Sequence, residues 1–352
     1  GSKAGCGVMN SADAPGVTAE DKALLARAEV WDPAESLAHL SVERLGAITA
    51  SHGLDLATAV LHDRLIRHPA HAGFRARVST IVPAKHMEDS HLADIIGIVP
   101  GAFHGQHKHT GADGLRIASI VRGLAPQVEV VPIRSFGPLE ENAALILDWL
   151  ETRHGARIAL ASLSKGGADL KRAFASPRAQ RAFSSVRAWV SFSGIVEGTP
   201  LVAWLRARPL RSTAFGLVLR FQGNRSAVVD ELRRAQDGPL ALWPALPLHL
   251  QVVHVNGCPL SRHLRHHWAP RGYERIAPLG PNDGGGILLG DLARLPGIVY
   301  PIWGADHYLE PPWDATGLLR DIVVAALTLP APRHANQSAS APMPAPATRS
   351  IA

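Results

Sequence analysis

The segment Ser162-Leu163-Ser164-Lys165-Gly166-Gly167 combines residue types and spacing that can do covalent chemistry. An apolar run, Arg157 to Leu163, leads into it, and a helical pattern, Gly167 to Ala175, leads out. A tight strand-to-helix turn needs small residues two positions before and after its apex. Ser162 and Gly166 satisfy that demand, with Ser162 standing where the Gly-x-Ser-x-Gly pattern has its first glycine. Ser164 would then stand at the carboxyl edge of a sheet as a nucleophile. The N-terminal amides of the next helix would face developing negative charge, with the Lys165 N–H as first oxyanion donor. The bland alternative is an ordinary βα turn.

A serine needs a base, and the base needs an orienting acid. Gly304-Ala305-Asp306-His307-Tyr308 follows the last strand candidate, so His307 is the expected base. Asp283, in Pro281-Asn282-Asp283-Gly284-Gly285, is the expected acid. The chain order is then Ser164, Asp283, His307. Asp306 is the rival acid, but a side chain adjacent to the histidine normally diverges from its ring. Val99-Pro100-Gly101-Ala102-Phe103-His104-Gly105 follows the first strand of the core. A glycine-containing loop there can turn the amide of Ala102 or Phe103 towards the serine as second oxyanion donor, each such donor being worth about 3 kcal/mol in the transition state.

Other residues invite rival readings. His104, His107 and His109 form one histidine cluster and His263, His266 and His267 a second. Their spacing permits metal ligation, but a polar loop and a solvated helix face explain them as well, and no metal or organic cofactor is expected. His104, Trp204 and Phe215 are candidate substrate contacts; Phe221 and Trp243 join them as possible lining of an acyl pocket. The competing role for these aromatics is packing. The Lys165 side chain could hold an anion or shift a neighbour's pKa, although this position usually contributes only its amide. Cys258 reads as a buried structural thiol. Ser191 and Ser193 lack the small-residue pattern and helix start that Ser164 has.

The elements that must position these residues alternate. Strand candidates are Ile95 to Val99, Val128 to Ile133, Arg157 to Leu163, Val186 to Phe192, Leu248 to Val255 and Gly297 to Trp303, with a weak one at Arg275 to Leu279. Helical patterns cover Asp113 to Leu124, Pro138 to His154 (Pro138 in the first turn) and Ala315 to Leu329. Such alternation predicts an α/β fold with a mostly parallel sheet and helices on both faces. Residues 1–16 and the Ala/Pro/Ser-rich 331–352 read as disordered tails. Residues 17–92 read as a helical N-terminal extension, with helices at Ala19 to Trp31 and Leu54 to Arg67. Residues 93–330 form the core, interrupted at about 198–247 by an inserted helical cap.

Composition narrows the function classes. The chain has 352 residues, 46% of them apolar and 19% charged, which is a globular balance. No apolar run is long enough for a membrane-spanning helix. Its 36 Lys and Arg exceed 30 Asp and Glu by six. The cations are scattered arginines with no basic run, so nucleic acid is not the expected partner. Two cysteines cannot build a disulfide framework, which suits a reducing, cytoplasmic setting.

From about residue 93 to 330 the chain resembles the α/β-hydrolases, similar to serine esterases and lipases. Pro100-Gly101, Ser162 to Gly167, Asn282-Asp283-Gly284 and Gly304 to His307 carry the resemblance. Asn-Asp-Gly resembles the acid loop of bacterial lipases. Two departures are Ser162 and Pro100, the latter where the family often has histidine. The resemblance implies an eight-stranded sheet and a serine hydrolase that cleaves an ester or thioester through an acyl-enzyme. The partner implied is a small-molecule or carrier-linked acyl substrate; a homo-oligomer is compatible. Acyltransferases and cyclases use the same triad, and non-catalytic binding proteins use the same fold.

Overall fold

The computed structural model describes residues 16–81, 91–106 and 110–329. Among these residues six parallel strands form one sheet, in the order β2-β1-β3-β4-β5-β6. They are β1 (Ile95–Val99), β2 (Gln127–Val130), β3 (Ile158–Leu163), β4 (Val186–Phe192), β5 (Gln251–Cys258) and β6 (Ile298–Trp303). All five residues of β1 and all eight of β5 are buried. Burial along the whole strand is what a parallel sheet covered on both faces produces, and in β5 it takes in Gln251, His254 and Asn256 as well as the apolar residues.

Helices supply the two covers. In chain order they are α1 (Ala19–Glu29), α2 (Val42–His52), α3 (Leu54–Arg67), α4 (Pro69–Thr80), α5 (Leu115–Ile120), α6 (Leu139–Glu151), α7 (Lys165–Phe174) and α8 (Ala179–Ala182). Then come α9 (Pro200–Arg206), α10 (Pro209–Phe221), α11 (Ala227–Glu231), α12 (Ala269–Ile276) and α13 (Thr316–Thr328). Ile96 and Ile98 of β1 join the core formed with α4, α5 and α13. Ile95 and Val99 point the other way, into the core formed with α6, α7 and α8. Gly97 lies between these two. A Cβ there would sit 2.5 Å from the Trp149 ring of α6, so glycine lets that helix lie close.

A third core joins the N-terminal helices to the far edge of the sheet. Leu45, Ile48, Leu61 and Leu65 pack with Val299 and Trp303 of β6. Thr18 and Asp21 cap α1 reciprocally. Residues 200–231, between β4 and β5, form α9 to α11.

Three expectations are corrected. The sheet has six strands among the described residues, not eight. Arg275 to Leu279 is no strand: it is the end of α12 and a 3₁₀ turn. Ala269, Gly272, Tyr273 and Ile276 are buried at three- and four-residue spacing, the period of a helix. Pro138 caps α6 from outside rather than sitting in its first turn.

Strand order creates the site. The chain lays β2 outside β1, then crosses back to put β3 on the other side. The loops leaving β1 and β3 therefore diverge and open a crevice at the carboxyl ends of the strands. Val99 pairs with Ser162 in register, which brings the Pro100-Gly101 loop alongside the Ser164 turn.

Candidate active site

Ser164 sits between β3 and α7 with φ 47° and ψ −117°, a left-handed conformation that a non-glycine residue rarely adopts. The turn is held on both sides, because Ser164 N–H donates to Phe192 O (3.1 Å) and Ile195 N–H donates to Ser164 O (3.0 Å). Gly166 is obligatory, since a Cβ there would lie 2.5 Å from the carbonyl oxygens of both Val99 and Pro100. Ser162 is accommodated where glycine was the pattern. Its hydroxyl is buried and accepts a hydrogen bond from Trp189 Nε1 at 2.8 Å.

Two loops meet the turn. His307 Nε2 is 3.0 Å from Ser164 Oγ, and His307 Nδ1 is 2.5 Å from Asp283 Oδ2. The His307 backbone N–H also donates to Asp283 O at 2.8 Å, tying the loops together. The other Asp283 oxygen, Oδ1, accepts from the N–H groups of Gly285 (2.9 Å), Gly286 (3.1 Å) and Ile287 (2.9 Å). That carboxylate is fully buried, so these donors replace the water it has lost. Asp306 is engaged elsewhere. Its Oδ2 accepts from the amides of Arg265 and His266, and its Oδ1 from Tyr308 N–H.

Burial opposes a charge on His307, but the Asp283 carboxylate and its hydrogen bond, with Asp306 behind, raise its pKa above the ordinary histidine value. The arrangement is a buried carboxylate, an imidazole held in one orientation, and a hydroxyl at the end of the chain. It can move a proton off Ser164 Oγ.

Lys165 opens α7, so its N–H has no acceptor within the helix. Its side chain is turned inward, with Nζ 2.6 Å from Asp169 Oδ1 and both groups about 1% exposed. Burial pushes the Asp169 carboxyl up, to about 6, against the pull of the Lys165 ammonium. The Lys165 side chain therefore serves the helix and not a ligand. Of the two second-donor candidates, Phe103 spends its N–H on Ser135 O at 3.0 Å. Its ring stacks on Phe136 at 4.5 Å. Ala102 remains.

A cavity of about 430 Å³ opens over Ser164 and His307. Phe103, Phe136, Val202, Trp204, Phe215 and Leu232 give it mostly apolar walls. Phe221 and Trp243 are not among them. Phe221 is exposed on α10, and Trp243 packs on Trp189 and on the Lys171 ammonium. His104 does not line the cavity either, and its Nδ1 lies 2.9 Å from Gly101 O.

Among the described residues, no three His, Cys, Asp or Glu side chains gather as a metal site. His263 Nε2 meets Asp21 of α1 at 3.1 Å, and His266 stacks on Tyr308 at 3.6 Å. His107 and His109 lie outside the described residues. Cys258 is buried, and burial pushes its thiol pKa up, away from reactivity. Among the described residues, no helix is long and apolar enough to cross a membrane.

No family model matches the chain, and no curated protein matches its sequence. Solved structures do. A metagenomic carboxyl esterase is 18% identical, over 68% of this chain and 75% of that one, with a TM-score of 0.49. A Bacillus licheniformis lipase in its mature form is 17% identical, over 65% and 89%, with a TM-score of 0.46. Aspergillus fumigatus lipase B is 12% identical, over 91% and 94%, with a TM-score of 0.30. The deciding observations belong to this chain: an all-parallel sheet in the order above, a strained turn after β3, and aspartate then histidine on later loops. The fold is that of an α/β hydrolase.

The roles of two supports of this site do not show in the sequence. A Cβ on Gly285 would fall 1.9 Å from His307 Cγ, so that glycine makes room for the imidazole. Arg116 of α5 donates to Tyr308 O (2.9 Å) and Leu309 O (3.1 Å) and pins the histidine loop from 192 residues away. Gly285 stands in the acid loop, but nothing there points to His307, and Arg116 lies in no motif; each acts through space on another part of the chain.

Proposed function

We propose that the protein is a serine hydrolase of carboxylic esters that carry an apolar acyl group. The observation that carries the reading is the run from Asp283 through His307 to Ser164, 2.5 and 3.0 Å, ending beneath a largely apolar cavity. His307 Nε2 takes the Ser164 proton as Oγ attacks the ester carbonyl. Asp283 holds the Nδ1–H tautomer and stabilises the imidazolium. The tetrahedral oxyanion sits on the Lys165 and Ala102 amides. Collapse expels the alcohol, which takes the proton from His307. Water, deprotonated by His307, then attacks the acyl-enzyme and returns free Ser164 and a carboxylic acid. Thioesters follow the same course with a thiol as leaving group.

The test is intact-mass spectrometry after incubation with a fluorophosphonate, alongside hydrolysis of p-nitrophenyl octanoate. Wild type is expected to gain one adduct and to turn over the ester; folded Ser164→Ala is expected to do neither. An adduct that survives Ser164→Ala, or a folded wild type inert in both assays, overturns the reading.

A further inference from the structure

Arginines gather around one residue of the cavity wall, Trp204 of α9. Arg275 of α12 lines the cavity as well. The guanidinium carbons of Arg208 and Arg275 each lie 4.1 Å from the centroid of the Trp204 ring, and that of Arg211 lies at 5.3 Å. Arg271, one turn before Arg275 on α12, is close enough to disfavour its charge.

Some arginines elsewhere in the protein are held in ion pairs. Arg206 meets Asp230 at 2.7 Å, Arg234 meets Asp291 at 2.8 Å, and Arg178 bridges Asp148 and Glu151. Among the described residues, Arg208, Arg211, Arg271 and Arg275 have no carboxylate within the 4.0 Å of an ion pair. The Arg275 guanidinium is disfavoured by burial and then by Arg211, Arg271 and Arg208; Glu274 alone offsets them. The face of one tryptophan attracts each cation, but that attraction does not neutralise them. Four arginines are thus gathered around a residue of the same cavity wall that Ser164 lines, and among the described residues no carboxylate forms an ion pair with any of them. Guanidinium groups in that state fit phosphate, which takes several N–H donors at once and neutralises more than one charge.

We propose that this cluster is a subsite for a phosphate group carried by the substrate, with the acyl chain in the cavity and the phosphate on the arginines around Trp204. The proposal rests on the hydrolase reading of Ser164 and adds the chemical class of its substrate. The phosphate could belong to a phospholipid headgroup or to a water-soluble phosphorylated carrier of the acyl group. Helix α10, which carries Arg211, also exposes Leu210 and Phe221 to solvent at 88% and 85%, which makes the lipid source worth its own arm.

The binding arm is independent of catalysis. Folded Ser164→Ala protein is titrated calorimetrically with octyl phosphate and with octyl glucoside. Preference for octyl phosphate of roughly tenfold or more is expected, and it should fall at least tenfold when Arg208→Gln and Arg275→Gln are added. Matched melting temperatures show that the variants fold. The kinetic arms use wild type. Preferred turnover of octanoyl-phosphopantetheine over p-nitrophenyl octanoate, lost with the arginines, assigns a soluble carrier. Sedimentation with phosphatidylglycerol vesicles but not phosphatidylcholine vesicles, also lost with the arginines, assigns a lipid. Equal affinity for the two octyl ligands, or a preference that survives both substitutions, overturns the subsite even if esters are hydrolysed. Arginine-dependent binding of octyl phosphate by a protein that hydrolyses no ester would keep the subsite and sink the hydrolase reading.

Discussion

Asp283→Asn tests the proposed mechanism at its most constrained point. The substitution is isosteric, and the site dictates how the new amide must sit. Three backbone N–H groups point at Oδ1, so the oxygen of asparagine must remain there. Its NH₂ group then takes the place of Oδ2, 2.5 Å from His307 Nδ1, and can only donate. The imidazole must accept at Nδ1, so its one proton moves to Nε2. A protonated Nε2 cannot take the Ser164 proton. Flipping the amide would set its N–H groups against three buried donors, each left unsatisfied at roughly 1–3 kcal/mol, so that escape is closed. The loss expected is on the order of 10⁴ in kcat, the size the same substitution has in other Ser-His-Asp sites, or about 5 kcal/mol of transition-state stabilisation.

A second readout separates this cause from general damage. In wild type the Asp283 charge and hydrogen bond help hold the His307 pKa above its ordinary value of 6.5. Only the neutral imidazole is a base, so kcat/KM should rise with pH through a midpoint above 6.5. Without the carboxylate, burial dominates, and the residual activity of Asp283→Asn should reach its plateau at lower pH. The assay is p-nitrophenyl octanoate hydrolysis from pH 5 to 9, with melting temperature as the folding control. A folded variant with more than a tenth of wild-type activity, or with an unmoved acid limb, would refute the reasoning.

Other outcomes follow from named contacts. Gly285→Ala drives a methyl group into His307; we expect an activity loss of at least about 100-fold with the melting temperature retained within a few degrees. Val202 is buried in the cavity wall, so Val202→Phe should lower kcat/KM for p-nitrophenyl octanoate about tenfold or more relative to the acetate, as a filled pocket loses roughly 1–3 kcal/mol of fit; equal losses for both esters would place the acyl chain elsewhere. Burial lowers His62 to about 3 and His71 and His254 to about 4. These values lie below the unfolded 6.5, so the stability these groups contribute is full above pH 6.5 and is lost as the solution is acidified towards pH 4. At pH 5 the loss is roughly 2 kcal/mol per group, and urea midpoints at pH 7 and pH 5 should differ accordingly; unchanged midpoints would contradict it.

Much of the molecule is legible in the sequence where the cause is local. Apolar runs bounded by Gly and Pro mark β1, β3, β4 and β6 because a strand buried on both faces admits few polar residues. The small residues around Ser164 mark the turn because backbone atoms of β1's outgoing loop press on it. Local pattern misleads at Arg275 to Leu279, too short a stretch to tell a strand from the end of a helix. Asp283 and Asp306 could both be named from the sequence. Only the fold aims one at His307 and ties the other to Arg265 and His266. Likewise Ala102 and Phe103 differ only once Ser135 is brought beside the loop to accept the Phe103 N–H. Arg116 behind His307 and Arg275 against Trp204 have no pattern at all, and Gly285, though it stands in the acid loop, gives no sign there of the imidazole it makes room for. Their partners come from other elements, and spacing along a chain carries no record of a contact made only when the sheet brings distant loops to one edge.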